Sequence, residues 1–289
     1  KFESICVKKT DLQAQPGHTI RFLKYDSLTG SDAIAETATV TPTTITTSTV
    51  AITVTEHIRA VSLTEYLLRS ALTDCLADAT TVLGQFYAKN RDALVRDTIL
   101  GSAGSLLYSQ AGGTTTTRAG LAATSTFNVD LIRDAVETLA TNKAPKFGGD
   151  AYVCFVHSHQ AKYLRKDSAW ISVQYYANPA NLLTGEIGRI EDVRFIETTQ
   201  IPYIAKGAGS QAIYADGEDT GATATGNANT AVYRAIIVGD WAVGLAEALP
   251  VELRDNGVED YGRKHSVGYY GIWGAGAIET GHMAILETA

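Results

Sequence analysis

VTPTTITTSTVAITVTEHIRAVSLTE, residues 40–65, carries threonine or serine at eleven of its twenty-six positions. Inside it Val50, Ile52 and Val54 alternate with Ala51, Thr53 and Thr55, the period of two that marks a strand. A partner lies upstream in HTIRFLK, residues 18–24, where Ile20 and Phe22 alternate with Thr19, Arg21 and Leu23. The two are expected to pair antiparallel across a long polar excursion, residues 25–39. Threonine is β-branched and favours extended backbone, yet its hydroxyl denies the strand a fully apolar face. Such a hairpin has little apolar area to bury on itself and is weakly held unless something covers it. Either a neighbouring copy of the chain covers it, or it is an exposed surface ribbon.

A chain of 289 residues with 45% hydrophobic and only 19% charged residues can bury a large core. Sparse charge suits a protein whose surface is partly covered by other copies. The formal net charge of −7 argues against attachment to nucleic acid through a broad basic face and leaves room for a local basic patch. Cys6, Cys75 and Cys154 are odd in number and form no CxxC pair, so they read as free thiols. The apolar runs are too short and interrupted to span a membrane, and KFESICVKKT lacks the apolar core of a signal peptide.

Around the hairpin, residues 1–16 read as an arm closed by the turn pair Pro16-Gly17. Ser62-Leu63-Thr64-Glu65 has the spacing of a capping box that opens a helix. Asp74 caps a much longer helix to about Leu100, with Leu76, Ala79, Leu83, Phe86, Tyr87 and Leu94 at helical spacing. Asp92 and Arg96 stand one turn apart on it and can pair. Roughly 27 residues at about 1.5 Å each make a spine of about 40 Å.

Residues 101–126, rich in glycine, serine and threonine, read as a loop or linker. A helix capped by Asn128 runs to Ala140 with Val129, Ile132, Val136 and Leu139 on one face. Residues 151–156 form a central strand and residues 159–165 a short helix. Residues 170–202 hold an Asn178-Pro179 turn, Gly185 and Gly188, then a strand over 193–197. Residues 207–230 read as a rim loop, 231–239 as a strand, 266–272 as another, and Met283, Ile285 and Leu286 mark the last. The expected class is α+β.

Catalytic constellations are weak. Cys154, His157 and His159 are close in sequence, but Cys154 shares a strand face with Tyr152 and Val156 while His157 falls on the other, and no further ligand follows at zinc spacing. GSAGS at 101–105 lacks the lysine and context of a phosphate loop, and no GxSxG or HExxH occurs. The adjacent acidic pairs Glu191-Asp192 and Glu259-Asp260 read as solvated turns. Lys162, Arg165 and Lys166, with Lys143 and Lys146 upstream, can share a helix face. That face is either simply solvated or touches phosphates, and in the second case it reads charge rather than sequence.

The order of these features resembles the major capsid protein family named after phage N4, whose members have the HK97-type capsid fold. The likeness runs over nearly the whole chain. Its most specific stretches are GHTIRFLKYDSLTG with SDAIAE, VAITVTEHIRAVSLTEYL, LGQFYAKNRDALVRDTIL, and FVHSHQAKYLRKDSAWISVQYYANPANLLTGEIGRIEDVRFIET. The resemblance implies an N-terminal arm (1–16), an extended E-loop (17–60), a peripheral domain (61–127) with its spine helix (74–100), an axial domain (128–249), and a return to the peripheral domain (250–289).

It further implies hexamers and pentamers in an icosahedral shell around the double-stranded DNA of a tailed bacteriophage, assembled in the host cytoplasm as a procapsid that matures. DNA would be met without sequence specificity, with Lys162, Arg165 and Lys166 as the DNA-facing or intersubunit candidates. Portal, scaffolding, and decoration or cement proteins would be partners. Catalytic residues, metal and cofactor are not expected. An encapsulin-like cargo compartment, sharing the fold class, is the alternative. An enzyme would need convergent ligands or an ordered nucleophile and base, and the long spine speaks against an adhesive module.

Overall fold

The computed structural model describes residues 1–10, 17–25, 42, 44–110, 115–167 and 186–289. The excursion at 26–39, Pro16 of the first turn and the Asn178-Pro179 turn lie outside the described residues. The strands are β1 (Val7–Lys9), β2 (Thr19–Tyr25), β3 (Thr47–Thr53), β4 (Thr55–Thr64), β5 (Ser105–Tyr108), β6 (Tyr152–Val156), β7 (Glu186–Ile190), β8 (Val193–Glu197), β9 (Tyr203–Ile204), β10 (Ser210–Ala215), β11 (Glu218–Thr225), β12 (Tyr233–Val238), β13 (Val243–Glu259), β14 (Lys264–Ala277) and β15 (Met283–Thr288). The helices are α1 (Glu65–Ser70), α2 (Cys75–Ser102), α3 (Val129–Thr141) and α4 (Ser158–Leu164). Two compact units result: Lys1–Cys6 with Arg91–Val243 and Glu279–Ala289, and Val7–Asn90 with Gly244–Ile278.

The first unit is built on a six-stranded mixed sheet in the order β5-β15-β12-β6-β8-β7. Every residue of β6, YVCFV, is buried, which is why the sequence shows an unbroken apolar run there. Asn128 caps α3, its Oδ1 accepting from the Leu131 N–H at 3.1 Å. The inner face of that helix, Leu131, Ile132, Ala135 and Leu139, shares one core with Cys154, Val156, Ala235, Ile237, Ala284 and Leu286. Phe155 alternates to the other face, where Phe2 meets it with ring centroids 4.4 Å apart. Residues 1–16, read as an arm, thus begin with a 3-10 turn, Phe2–Ile5, that buries Phe2 and Ile5, and continue into β1.

Two strand groups correct the loop expectations. β5 lies within 101–126 and pairs parallel with β15. Its entry depends on Gly104, whose N–H donates to the Thr280 carbonyl at 2.8 Å; a Cβ on Gly104 would sit 2.7 Å from that oxygen. Within 207–230, β10 and β11 form an antiparallel hairpin continued by β9. Backbone pairing holds most of it, and Ile213 and Ala224 are its apolar contacts with the unit. Ile204, Leu121 and Val232 make the small core beneath.

In the second unit β1, β13, β14 and β4 form a four-stranded sheet in that order, and β2 pairs with β3 from Thr19↔Thr53 to Tyr25↔Thr47. The expected hairpin is present, and its alternation is realised: Ile20 and Phe22 are buried while Thr19, Arg21 and Leu23 are exposed. Ile20, Phe22, Ile52 and Val54 join Ala246 and Ile278 in one cluster. The foot of the ribbon is therefore anchored on its own unit, which corrects the expectation that it buries little of itself. Its outer face, including Thr47, Thr49 and Thr53, stays exposed.

The spine helix starts as expected, with Asp74 Oδ1 accepting from the Leu76 and Ala77 N–H groups at 3.1 and 3.3 Å. Two local readings are not realised. Ser62 does not cap α1; it is held in the β4 ladder opposite Ser266, and Thr64 is the cap, accepting from the Leu67 N–H at 3.3 Å. Asp92 accepts from the Glu3 N–H at 3.3 Å, while Arg96 turns to Asp97 at 2.8 Å and to the Gln200 carbonyl at 2.8 Å. Both side chains that could have formed the i,i+4 pair find partners off that face.

Candidate assembly and phosphate-contact surfaces

The second unit concentrates exposed apolar groups. Apart from Leu106 and Trp241, every large exposed apolar side chain among the described residues belongs to it. No residue of β4 is buried, and β13 is exposed on both faces through most of its outer half. Ile58 on β4 is 66% exposed and Leu253 on β13 is 60% exposed. Tyr261, in the turn that joins β13 to β14, is fully exposed with φ at +56°. Strands with two open faces gain little from burial, and soluble monomers rarely display so much apolar surface together. β4 is also a sheet edge, and it carries Glu56 and Arg59, the charges that discourage uncontrolled edge pairing.

The basic trio is only partly gathered. α4 ends at Leu164, and Arg165 turns to Glu197 at 3.0 Å, so its charge is already offset. Lys162 and Lys166 flank one ring, each Nζ lying 5.6 Å from the centre of Tyr163. Both lysines are exposed. Upstream, Lys146 is engaged by Asp192 at 2.8 Å, and Arg133 pairs with Glu191 at 2.9 Å. The Glu191-Asp192 turn is thus paired rather than merely solvated.

Cys154 is wholly enclosed, and burial pushes its thiol pKa up, away from reactive thiolate. His157 is the cap of α4: its Nδ1 accepts from the His159 N–H at 3.1 Å, while Gln160 Oε1 accepts from the His157 N–H at 3.3 Å. His159 stacks on Tyr233 with centroids 4.0 Å apart. Burial lowers the pKa of both imidazoles. Among the described residues no group of three or more His, Cys, Asp or Glu could hold a metal ion.

A buried ion network escaped the sequence reading. Arg118 grips the fully buried Glu287 through two bonds, at 2.7 and 2.5 Å. Arg234 stands directly opposite Glu287 in the β12–β15 ladder and is itself buried. Burial draws its guanidinium pKa down, and the Glu287 charge opposes that. The partners Arg118 and Glu287 are 169 residues apart, so no local spacing announces them.

A mixed sheet with a helix-supported core, a long spine helix and an extended β ribbon whose faces await a cover is the architecture of a shell-forming subunit. The family model for phage capsid protein matches residues 2–279, and the chain belongs to that family. The chain is similar to the capsid protein of Ralstonia phage GP4, at 17% identity and a TM-score of 0.77, covering 98% of this chain and 87% of that one. Against the cyanophage Pam1 capsid the identity is 16% and the TM-score 0.74, covering 99% and 89%. Against the acid-stable capsid of Helicobacter pylori bacteriophage KHP30 they are 15% and 0.71, covering 99% and 90%. Among curated proteins none is significantly similar in sequence. The fold is the HK97-type capsid fold, and the protein is a structural subunit of a phage virion shell. Nothing in these likenesses favours an encapsulin-like compartment.

Proposed function

We propose that the chain, as a member of the branch named after phage N4, assembles as hexamers and pentamers into an icosahedral shell that encloses double-stranded DNA. Its assembly would take place in the host cytoplasm, with a portal and with scaffolding and decoration or cement proteins as partners. The observation that carries this reading is the second unit: long strands open on both faces, with exposed Ile58, Leu253 and Tyr261, in a chain of the phage capsid family. In domain terms β2 and β3 form the stem of the E-loop, α2 is the spine, β4, β13 and β14 make the peripheral ribbon, and residues 128–249 supply the axial domain. Weak contacts repeated by symmetry then close the shell without any tight pairwise interface.

Threonine on the outer face of the ribbon keeps it extended while limiting aggregation before assembly. Lys162 and Lys166 are the groups proposed to meet phosphates, with Arg165 restrained by Glu197. The net charge of −7 leaves packaged DNA weakly held overall. Native mass spectrometry of the purified chain tests the stoichiometry. Species of five and six subunits support the reading, and a chain that remains a monomer or stops at a dimer contradicts it.

A further inference from the structure

We propose that His157 is a proton-operated cap: neutral, it holds the first turn of α4, the helix that carries Lys162 and leads into Lys166, and on protonation it releases that turn. The first N–H groups of a helix have no partner within the helix and are normally met by Ser, Thr, Asp or Asn, none of which becomes a cation. Here an imidazole does the work, its Nδ1 accepting from the His159 N–H at 3.1 Å. An imidazole nitrogen accepts only while unprotonated, so the neutral ring must carry its hydrogen on Nε2. A proton on Nδ1 turns the acceptor into a donor facing another donor. It also places a cation at the positive end of the helix.

The surroundings bear on both states. From β9 and β12, Tyr203 and Tyr233 face the ring at 5.8 and 5.1 Å. Glu197 of β8 favours the charged ring but is also committed to Arg165 at 3.0 Å. His159 disfavours it, and Lys162 in turn disfavours charge on His159. Burial is the largest influence and holds the His157 pKa below its ordinary value, about 6.5. The unfolded chain therefore takes up the proton first. The full stability of the cap is present above the ordinary value and is lost as pH falls through the interval down to the folded pKa. The release has a route outward, because Gln160, the other half of the box, donates to Thr288 Oγ1 at 3.0 Å and to the Tyr233 carbonyl at 3.3 Å. None of this depends on whether Lys162 and Lys166 meet DNA.

Hydrogen exchange of the full chain from pH 7.5 to 5.0, corrected for the intrinsic rate, tests the cap. In the unaltered protein the amides of His159, Gln160 and Ala161 should lose protection about fivefold, the size of a missing cap. His157→Asn, which caps without titrating, should remove that response, and His159→Gln should retain it. An unchanged response in His157→Asn, a response abolished only by His159→Gln, or no response in the unaltered protein would overturn the proposal. Should His157→Asn fail to fold, histidine NMR of the unaltered protein decides. A neutral Nε2–H tautomer titrating below the ordinary value supports the cap, and titration at or above it refutes it.

Discussion

The two faces of the β2–β3 ribbon should fail in opposite ways. Phe22 is 4% exposed and sits with Ile20, Ile52 and Val54 in the cluster that anchors the ribbon. Gly244 lies so close that a Cβ there would come within 2.9 Å of both Phe22 Cζ and Ile52 Cδ1. The backbone already occupies that side, which limits how far the site can collapse after truncation. Phe22→Ala should then cost about 3 kcal/mol, the lower end for a buried phenylalanine because the cluster is small. Leu23, one residue on and 55% exposed, faces outward. Leu23→Ser should change the stability of the unassembled chain by less than about 0.5 kcal/mol while reducing the yield of shells. Urea unfolding followed by circular dichroism reads the first effect, and negative-stain microscopy at matched concentration reads the second. A Phe22→Ala loss below about 1 kcal/mol, beside Leu23→Ser shells at full yield, would refute the assignment of an anchoring face and an assembling face.

Glu287→Gln should destabilise the first unit by about 3–5 kcal/mol, because it leaves Arg118 and the buried Arg234 without their carboxylate; denaturant unfolding checks this. Gly274→Ala should destabilise by at least about 1–3 kcal/mol or prevent folding, since a Cβ there would lie 2.2 Å from the Thr53 carbonyl oxygen; thermal unfolding reads it. Lys162→Ala with Lys166→Ala should lower the slope of log affinity for double-stranded DNA against log salt by about two. Arg165→Ala should move that slope less, as its guanidinium is already paired with Glu197. Filter binding over a salt series measures both.

The sequence signalled best where burial is one-sided or complete. Ile20 and Phe22 announced β2, YVCFV announced the doubly covered β6, and Asp74 and Asn128 announced two helix starts. It signalled least where pattern carries no contrast. β10, SQAIYA, and β11, EDTGATAT, hold only Ile213 and Tyr214 as large apolar side chains, adjacent in sequence, so their pairing leaves no apolar alternation to read. The outer half of β13 is open on both faces, and its alternation is confined to Leu249, Val251 and Leu253 before the polar run Arg254-Asp255-Asn256. β5 has only Leu106 and Leu107 within a glycine- and serine-rich stretch. Ser62 and Thr64 both had cap chemistry, and the β4 ladder decided between them. Of the basic trio, spacing gave the grouping but not the Glu197 carboxylate that removes Arg165 from it.

The central claim is that the ribbon, rooted on its own unit through Phe22 and Ile52, offers its threonine face to another copy. A cryo-electron microscopy reconstruction of particles formed by the purified protein tests it most directly. Density for Leu23, Thr47 and Thr49 lying against a neighbouring subunit in a closed shell is the predicted result. A solitary subunit at high concentration, or shells in which that face touches only its own chain, would contradict it.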